Sequence, residues 1–302
     1  MIVHWLLAVA LLVAYLSLAW KPVVYALRTF ARRRRHGVLL ALYLLAPYLL
    51  LTIPDATVAP RRFLADLGVM VLYVLLPALA CILRPAGTRQ LSHYLLDAVA
   101  ILTLWLPVEF GWLPDARLQL GLTLTLPLPL LTAIPLALLC FLVLRPLPGV
   151  GFTWRLARDD WRQIGLALAA YALVGVPLGL ISGFLRPGLA SFDPLGWVAA
   201  FLIGYLFTAL PEELLFRGVI QNLLGQLLAR RTALVAGALI FGLAHVNNAT
   251  PGFPVPNWMY VIMATLAGLA YGWTWQRTGK ITTAAVVHAS VNFVWGTLLS
   301  GG

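Results

Sequence analysis

Long apolar runs separated by short polar breaks make up almost the whole chain. The runs lie near 2–20, 37–53, 63–83, 93–112, 118–144, 163–185, 196–229, 232–246, 257–276 and 281–299. Most approach or exceed the roughly 20 residues that carry a helix across a bilayer. They are too long and too uniformly apolar for the alternating strands of a barrel, and no strand patterning is read between them. The pattern therefore predicts an all-α fold, a polytopic transmembrane helical bundle of about 8–10 spans. The breaks are rich in Pro, Gly and Arg, as in RPAGTRQ and RPLPGVG. The longest, 145–162, carries Arg145, Arg155, Arg158, Asp159, Asp160 and Arg162. It divides an N-terminal transmembrane region, 1–150, from a C-terminal region, 151–302.

One run is anomalous. The segment 196–229 would reach about 50 Å as a helix at ~1.5 Å per residue, against a hydrocarbon core of ~30 Å. It must tilt, break or fold back, and Pro211 stands where a helix kinks or restarts.

Composition sharpens the class. Hydrophobic residues are 62% of the chain and charged residues 10%, against about 25% charged in soluble proteins. The net charge of +11 does not point to nucleic acid. The basic residues cluster in short loops, as from Arg28 to Arg35, where such clusters set orientation and meet anionic headgroups. Arg28 to Arg35, Arg84 with Arg89, and the 145–162 loop are expected on the cytoplasmic side. The first run has no basic residue before it and reads as an uncleaved span. The expected location is integral and multi-pass, in a plasma membrane of bacterial type. His4, His36, His93, Asp97 and Glu109 lie near run ends and read as interfacial. Cys81 and Cys140 sit in separate runs without a paired-cysteine motif and read as packing residues.

Candidate chemistry falls in the second half. The chain has three glutamates, and two of them, Glu212 and Glu213, are adjacent inside an apolar run, in EELLFR. Residues four apart share a helix face, so Glu213 and Arg217 are natural partners. Glu212 points about 100° away and is left as an unpaired intramembrane acid, which marks a functional group. The second motif is FGLAH, ending in His245; the third is HASVN, which sets His288 and Asn292 on one face. Each alone suits a satisfied core group. Together they hold almost all the deep polar residues. Antiparallel helices turning near 229–232 and near 276–280, on the same side, would bring them to a similar depth. A carboxylate, two imidazoles and a carboxamide suggest hydrolysis. Glu212 with His245 could deprotonate a water, and His288 with Asn292 could donate to an oxyanion. Ser290 is read as facing away from the His288/Asn292 face, so water is the nucleophile.

At these residues the chain resembles the CAAX-protease and bacteriocin-processing family of intramembrane proteases, whose pattern is EExxxR, FxxxH and HxxxN. EELLFR (212–217), FGLAH (241–245) and HASVN (288–292) match it in order, and the resemblance covers about 195–296. It implies a membrane-embedded endopeptidase, CAAX prenyl protease-like, in which Glu212 and His245 activate water, His288 and Asn292 form the oxyanion hole, and Glu213 and Arg217 position the site. The substrate implied is a membrane-associated peptide or protein, lipidated ones included. A metal-free glutamic mechanism is the favoured expectation, since HExxH is absent and Asn is a poor zinc ligand. Zinc held by Glu212, His245 and His288 is the alternative. Two other functions stay open: a non-catalytic bacteriocin-immunity or scaffold protein, and a proton-coupled transporter. The second is disfavoured because polar features occupy only one half of the chain.

Overall fold

A computed structural model describes residues 2–84, 91–121, 124–188 and 193–299. Arg89 and the 85–90 part of the RPAGTRQ connection lie outside them. The chain forms two compact units, Met1–Pro148 and Gly149–Gly302. The protein is an all-α, polytopic helical bundle. Among the described residues, five helices are long and apolar enough to cross a membrane: Arg34–Thr52, Pro60–Leu83, Arg158–Ser182, Pro194–Leu224 and Ile281–Leu298. A sixth is obtained if Ile2–Ser17 and Lys21–Phe30, bent by 96°, are taken as one span. The other apolar runs of the sequence become shorter or less apolar helices.

The first unit departs from its sequence in two ways. The run 118–144 is not one span. Arg117–Gln119 pairs antiparallel with Thr125–Pro127, and an apolar helical segment follows only from Leu128 to Leu144. Asp97 and His93 are not exposed; both are buried within the unit. Asp97 receives Arg84 Nε at 3.1 Å and Arg145 Nη2 at 2.7 Å. A carboxylate in an apolar bundle needs a charged partner, and two arginines from distant run ends supply it. Cys81 and Cys140, far apart in sequence, are buried free thiols brought near each other.

In the second unit the anomalous segment neither breaks nor folds back. Pro194–Leu224 is one continuous helical span. It widens into π-helical turns at Tyr205–Ala209 and Leu214–Gln221, on either side of Leu210–Glu213. Pro211 has no N–H to give, and its ring would strike the carbonyl of the preceding turn. The wider turn before it relieves both problems. The next helix, Arg230–Leu243, reaches only about 21 Å and so stops short of a full ~30 Å crossing. Its start is tied to the end of the Trp258–Thr278 helix: Arg230 donates to the Gln276 carbonyl, and Gln276 Nε2 donates to the Arg230 carbonyl at 2.8 Å. The two turns therefore do lie side by side.

Because Arg230–Leu243 ends early, the irregular stretch to Trp258 needs partners for the polar groups it buries. Asn257, fully buried, provides them. Its Nδ2 donates to Asn248 O at 2.9 Å and to Thr250 Oγ1 at 3.1 Å, and its Oδ1 accepts from Tyr260 N at 2.9 Å. The Arg230–Leu243 and Trp258–Thr278 helices meet at Gly242, where a Cβ would lie 2.0 Å from Thr265 Oγ1 and 2.7 Å from the Val261 carbonyl oxygen. Gly242→Ala is expected to force these helices apart and cost about 1–3 kcal/mol. Thermal unfolding in detergent should show a lowered midpoint; an unchanged midpoint would contradict this close approach.

Candidate active site

The buried face of the Pro194–Leu224 helix carries Glu213 and Arg217, both essentially without solvent exposure. Arg217 Nη1 donates to Glu213 Oε1 at 3.1 Å, the four-residue pairing expected from the motif. The rest of the guanidinium is also accommodated. Nη2 donates to the Gly268 carbonyl at 3.0 Å, and the Phe241 ring lies 4.3 Å from Cζ as a cation–π partner. Gly268 eases this close approach, since a Cβ there would lie 3.2 Å from Nη2 and the guanidinium would have to give by a few tenths of an ångström.

Glu213 has a second partner that spacing does not reveal. His288 Nδ1, from the Ile281–Leu298 helix, stands 2.9 Å from the same Oε1. A carboxylate paired with arginine accepts, so Nδ1 carries the hydrogen. The other nitrogen, Nε2, faces Glu212 Oε2 at 3.8 Å. His288 thus sits between the two glutamates. Its ring stacks on Tyr271 at 4.5 Å and 14°, and meets Phe241 edge-on at 5.7 Å. Glu212 Oε2 is buried and has no hydrogen-bond donor among the described residues.

His245 lies just past the end of its helix. Its Nδ1 is 2.8 Å from the Phe241 carbonyl oxygen. A carbonyl can only accept, so Nδ1 holds the hydrogen, and Nε2 of the neutral ring presents a lone pair. Its ring packs against Phe241 at 4.7 Å and Tyr260 at 5.0 Å.

Glu212, His245, His288 and Asn292 line one cavity of about 440 Å³. Most of its remaining wall is apolar or aromatic, including Tyr171, Phe184, Tyr260 and Trp295. Asn292 is exposed at this wall. Ser290 also reaches the cavity rather than facing away, but its hydroxyl donates to the Val286 carbonyl at 2.7 Å, leaving it poorly placed as a nucleophile. Tyr171, Tyr260, Tyr271 and Asn248 line the cavity without belonging to any motif. In the sequence they look like ordinary core or loop residues.

Among the described residues no group of three His, Cys, Asp or Glu side chains is arranged to hold a metal ion. As placed, Glu212, His245 and His288 do not fit a three-ligand zinc site.

Neither the curated proteins nor the solved structures compared with the chain gave a match. All three motifs lie within residues 194–294, the segment that matches the model of the Rce1-like family, described as type II CAAX prenyl endopeptidase Rce1-like.

Proposed function

We propose that this integral multi-pass membrane protein is an intramembrane endopeptidase of glutamic type, and that it hydrolyses a peptide bond of a membrane-associated or lipidated protein. The observation that carries this reading is the gathering of Glu212, His245, His288 and Asn292 on one largely apolar cavity. The match of residues 194–294 to a protease family adds to it.

In this mechanism a water is held between Glu212 and the Nε2 lone pair of His245. Glu212 takes a proton as the water oxygen bonds to the scissile carbonyl carbon. The carbonyl electron pair moves onto oxygen, where the Asn292 amide donates to it. His288 can join only as the imidazolium, because in the neutral ring its single hydrogen is committed to Glu213. Collapse of the tetrahedral intermediate breaks the C–N bond, and Glu212 passes its proton to the leaving nitrogen. Arg217 and Glu213 touch no substrate. They hold the helix face and His288 in place.

The test is cleavage of candidate membrane peptides, lipidated and unlipidated, by purified protein in lipid, with the cut site mapped by mass spectrometry. Reproducible cleavage at one bond is expected. Intact peptides throughout would favour the non-catalytic reading. The same preparation addresses the metal. Active protein is expected to contain no stoichiometric zinc, and chelators should leave its rate unchanged. One zinc per chain, with activity lost on removal and regained on return, would overturn the metal-free scheme.

A further inference from the structure

Hydrogen-bond accounting around the cavity leaves the oxyanion with few donors. Neutral His288 spends its only hydrogen on Glu213, and neutral His245 spends its own on the Phe241 carbonyl. Ser290 donates to Val286. Of the motif residues, the Asn292 amide remains. Preorganised oxyanion sites commonly use more than one donor.

Tyr260 stands at the same cavity. Its ring lies 5.0 Å from that of His245. Its phenol lies near the Asn248 side chain, which lines the same cavity, and within electrostatic reach of Glu212. The ring is held by Phe184 at 5.5 Å and by Trp295, edge-on, at 5.4 Å. Its backbone N–H is fixed by Asn257 Oδ1, and Nδ2 of that same side chain holds the Asn248 carbonyl. One buried asparagine thus anchors both the tyrosine and the residue near its phenol. The arrangement keeps a polar hydroxyl beside the proposed water-activating pair, with its aromatic body locked by packing.

We propose that Tyr260 is a further catalytic residue: its phenol donates a hydrogen bond to the scissile carbonyl oxygen as that oxygen gains negative charge, with Asn248 orienting the phenol. The inference rests on the endopeptidase reading. Tyr260 loses no proton. The proton from water goes to Glu212, the carbonyl pair goes to oxygen, and the phenol and the Asn292 amide stabilise it there. When the C–N bond breaks, the pair returns to the carbonyl and the hydrogen bond relaxes.

Tyr260→Phe keeps the ring and removes only the hydroxyl. Using a peptide that the wild-type protein cleaves, kcat is expected to fall about 10²-fold, with KM nearly unchanged, because the bond strengthens only in the transition state. The thermal midpoint should stay at the wild-type value. Wild-type kcat in Tyr260→Phe, or a loss confined to KM, would overturn the assignment. Should Tyr260→Phe not fold, Asn248→Ala decides: a severalfold loss of kcat is expected, and wild-type kcat rejects the role. The two readings fail differently. If the wild-type protein cleaves nothing, the endopeptidase reading falls and Tyr260 with it. If it cleaves, Glu212→Gln is inactive and Tyr260→Phe is fully active, only the role of Tyr260 is lost.

Discussion

Glu212→Gln is expected to reduce peptide cleavage by about 10²–10⁴-fold while leaving the thermal midpoint close to wild type. The replacement is nearly isosteric, so the cavity keeps its shape. What disappears is the group able to take a proton from water, since a carboxamide is no base at neutral pH. The fold should tolerate the change because no buried cation depends on this carboxylate. Arg217 is paired with Glu213 instead. Among the described residues Glu212 has no hydrogen-bonded partner at Oε2, and its side chain keeps 31% of its exposure. An intramembrane carboxylate left unpaired is held at a cost that function must justify, so its removal can even raise stability. Parallel measurement of cleavage rate and thermal unfolding in one preparation separates the two effects. Cleavage at the wild-type rate would remove Glu212 from the mechanism. Loss of folding would instead show that it belongs with the structural pair.

The motifs were legible because their signal is local. Glu213 and Arg217 meet at the four-residue spacing that EELLFR announces. The shared depth of Glu212, His245, His288 and Asn292 follows from counting residues back to two turns, which the reciprocal Arg230–Gln276 bonds place together. What stayed hidden is tertiary. The contact of His288 with Glu213 spans 75 residues, and nothing in HASVN specifies which nitrogen faces which carboxylate. Tyr260 could not be told from core, because an aromatic residue on an apolar helix is ordinary without its neighbours. Asp97 was misplaced for the same reason: its partners Arg84 and Arg145 lie 13 and 48 residues away. The hairpin in 117–127 is different. Its strict alternation, RLQLGLTLTLP, carries a period of two, but reading it as part of one long apolar run concealed it.

Glu213→Gln is expected to destabilise the folded protein by about 3–5 kcal/mol, the usual cost of breaking a buried ion pair by removing one partner. The substitution isolates charge from shape. Arg217 and His288 both approach the same oxygen, Oε1, so a glutamine oxygen in that place could still accept from either. What it cannot do is neutralise Arg217, whose side chain is 1% exposed. The Gly268 carbonyl and the Phe241 face remain, but both are dipolar or quadrupolar partners and offer no countercharge. A lowered unfolding midpoint and poor yield from the membrane should follow. Activity per folded molecule should fall as well, since a neutral amide oxygen holds His288 more weakly than the carboxylate does. A companion variant shows that the damage comes from the stranded cation. Adding Arg217→Met to a Glu213→Leu background removes both charges, and buried pairs replaced by apolar side chains are often neutral in stability. The double variant is therefore expected to recover most of the midpoint while remaining impaired in cleavage. A Glu213→Gln protein as stable as wild type would mean that Arg217 finds its countercharge elsewhere, and the division of labour between the two glutamates would have to be redrawn.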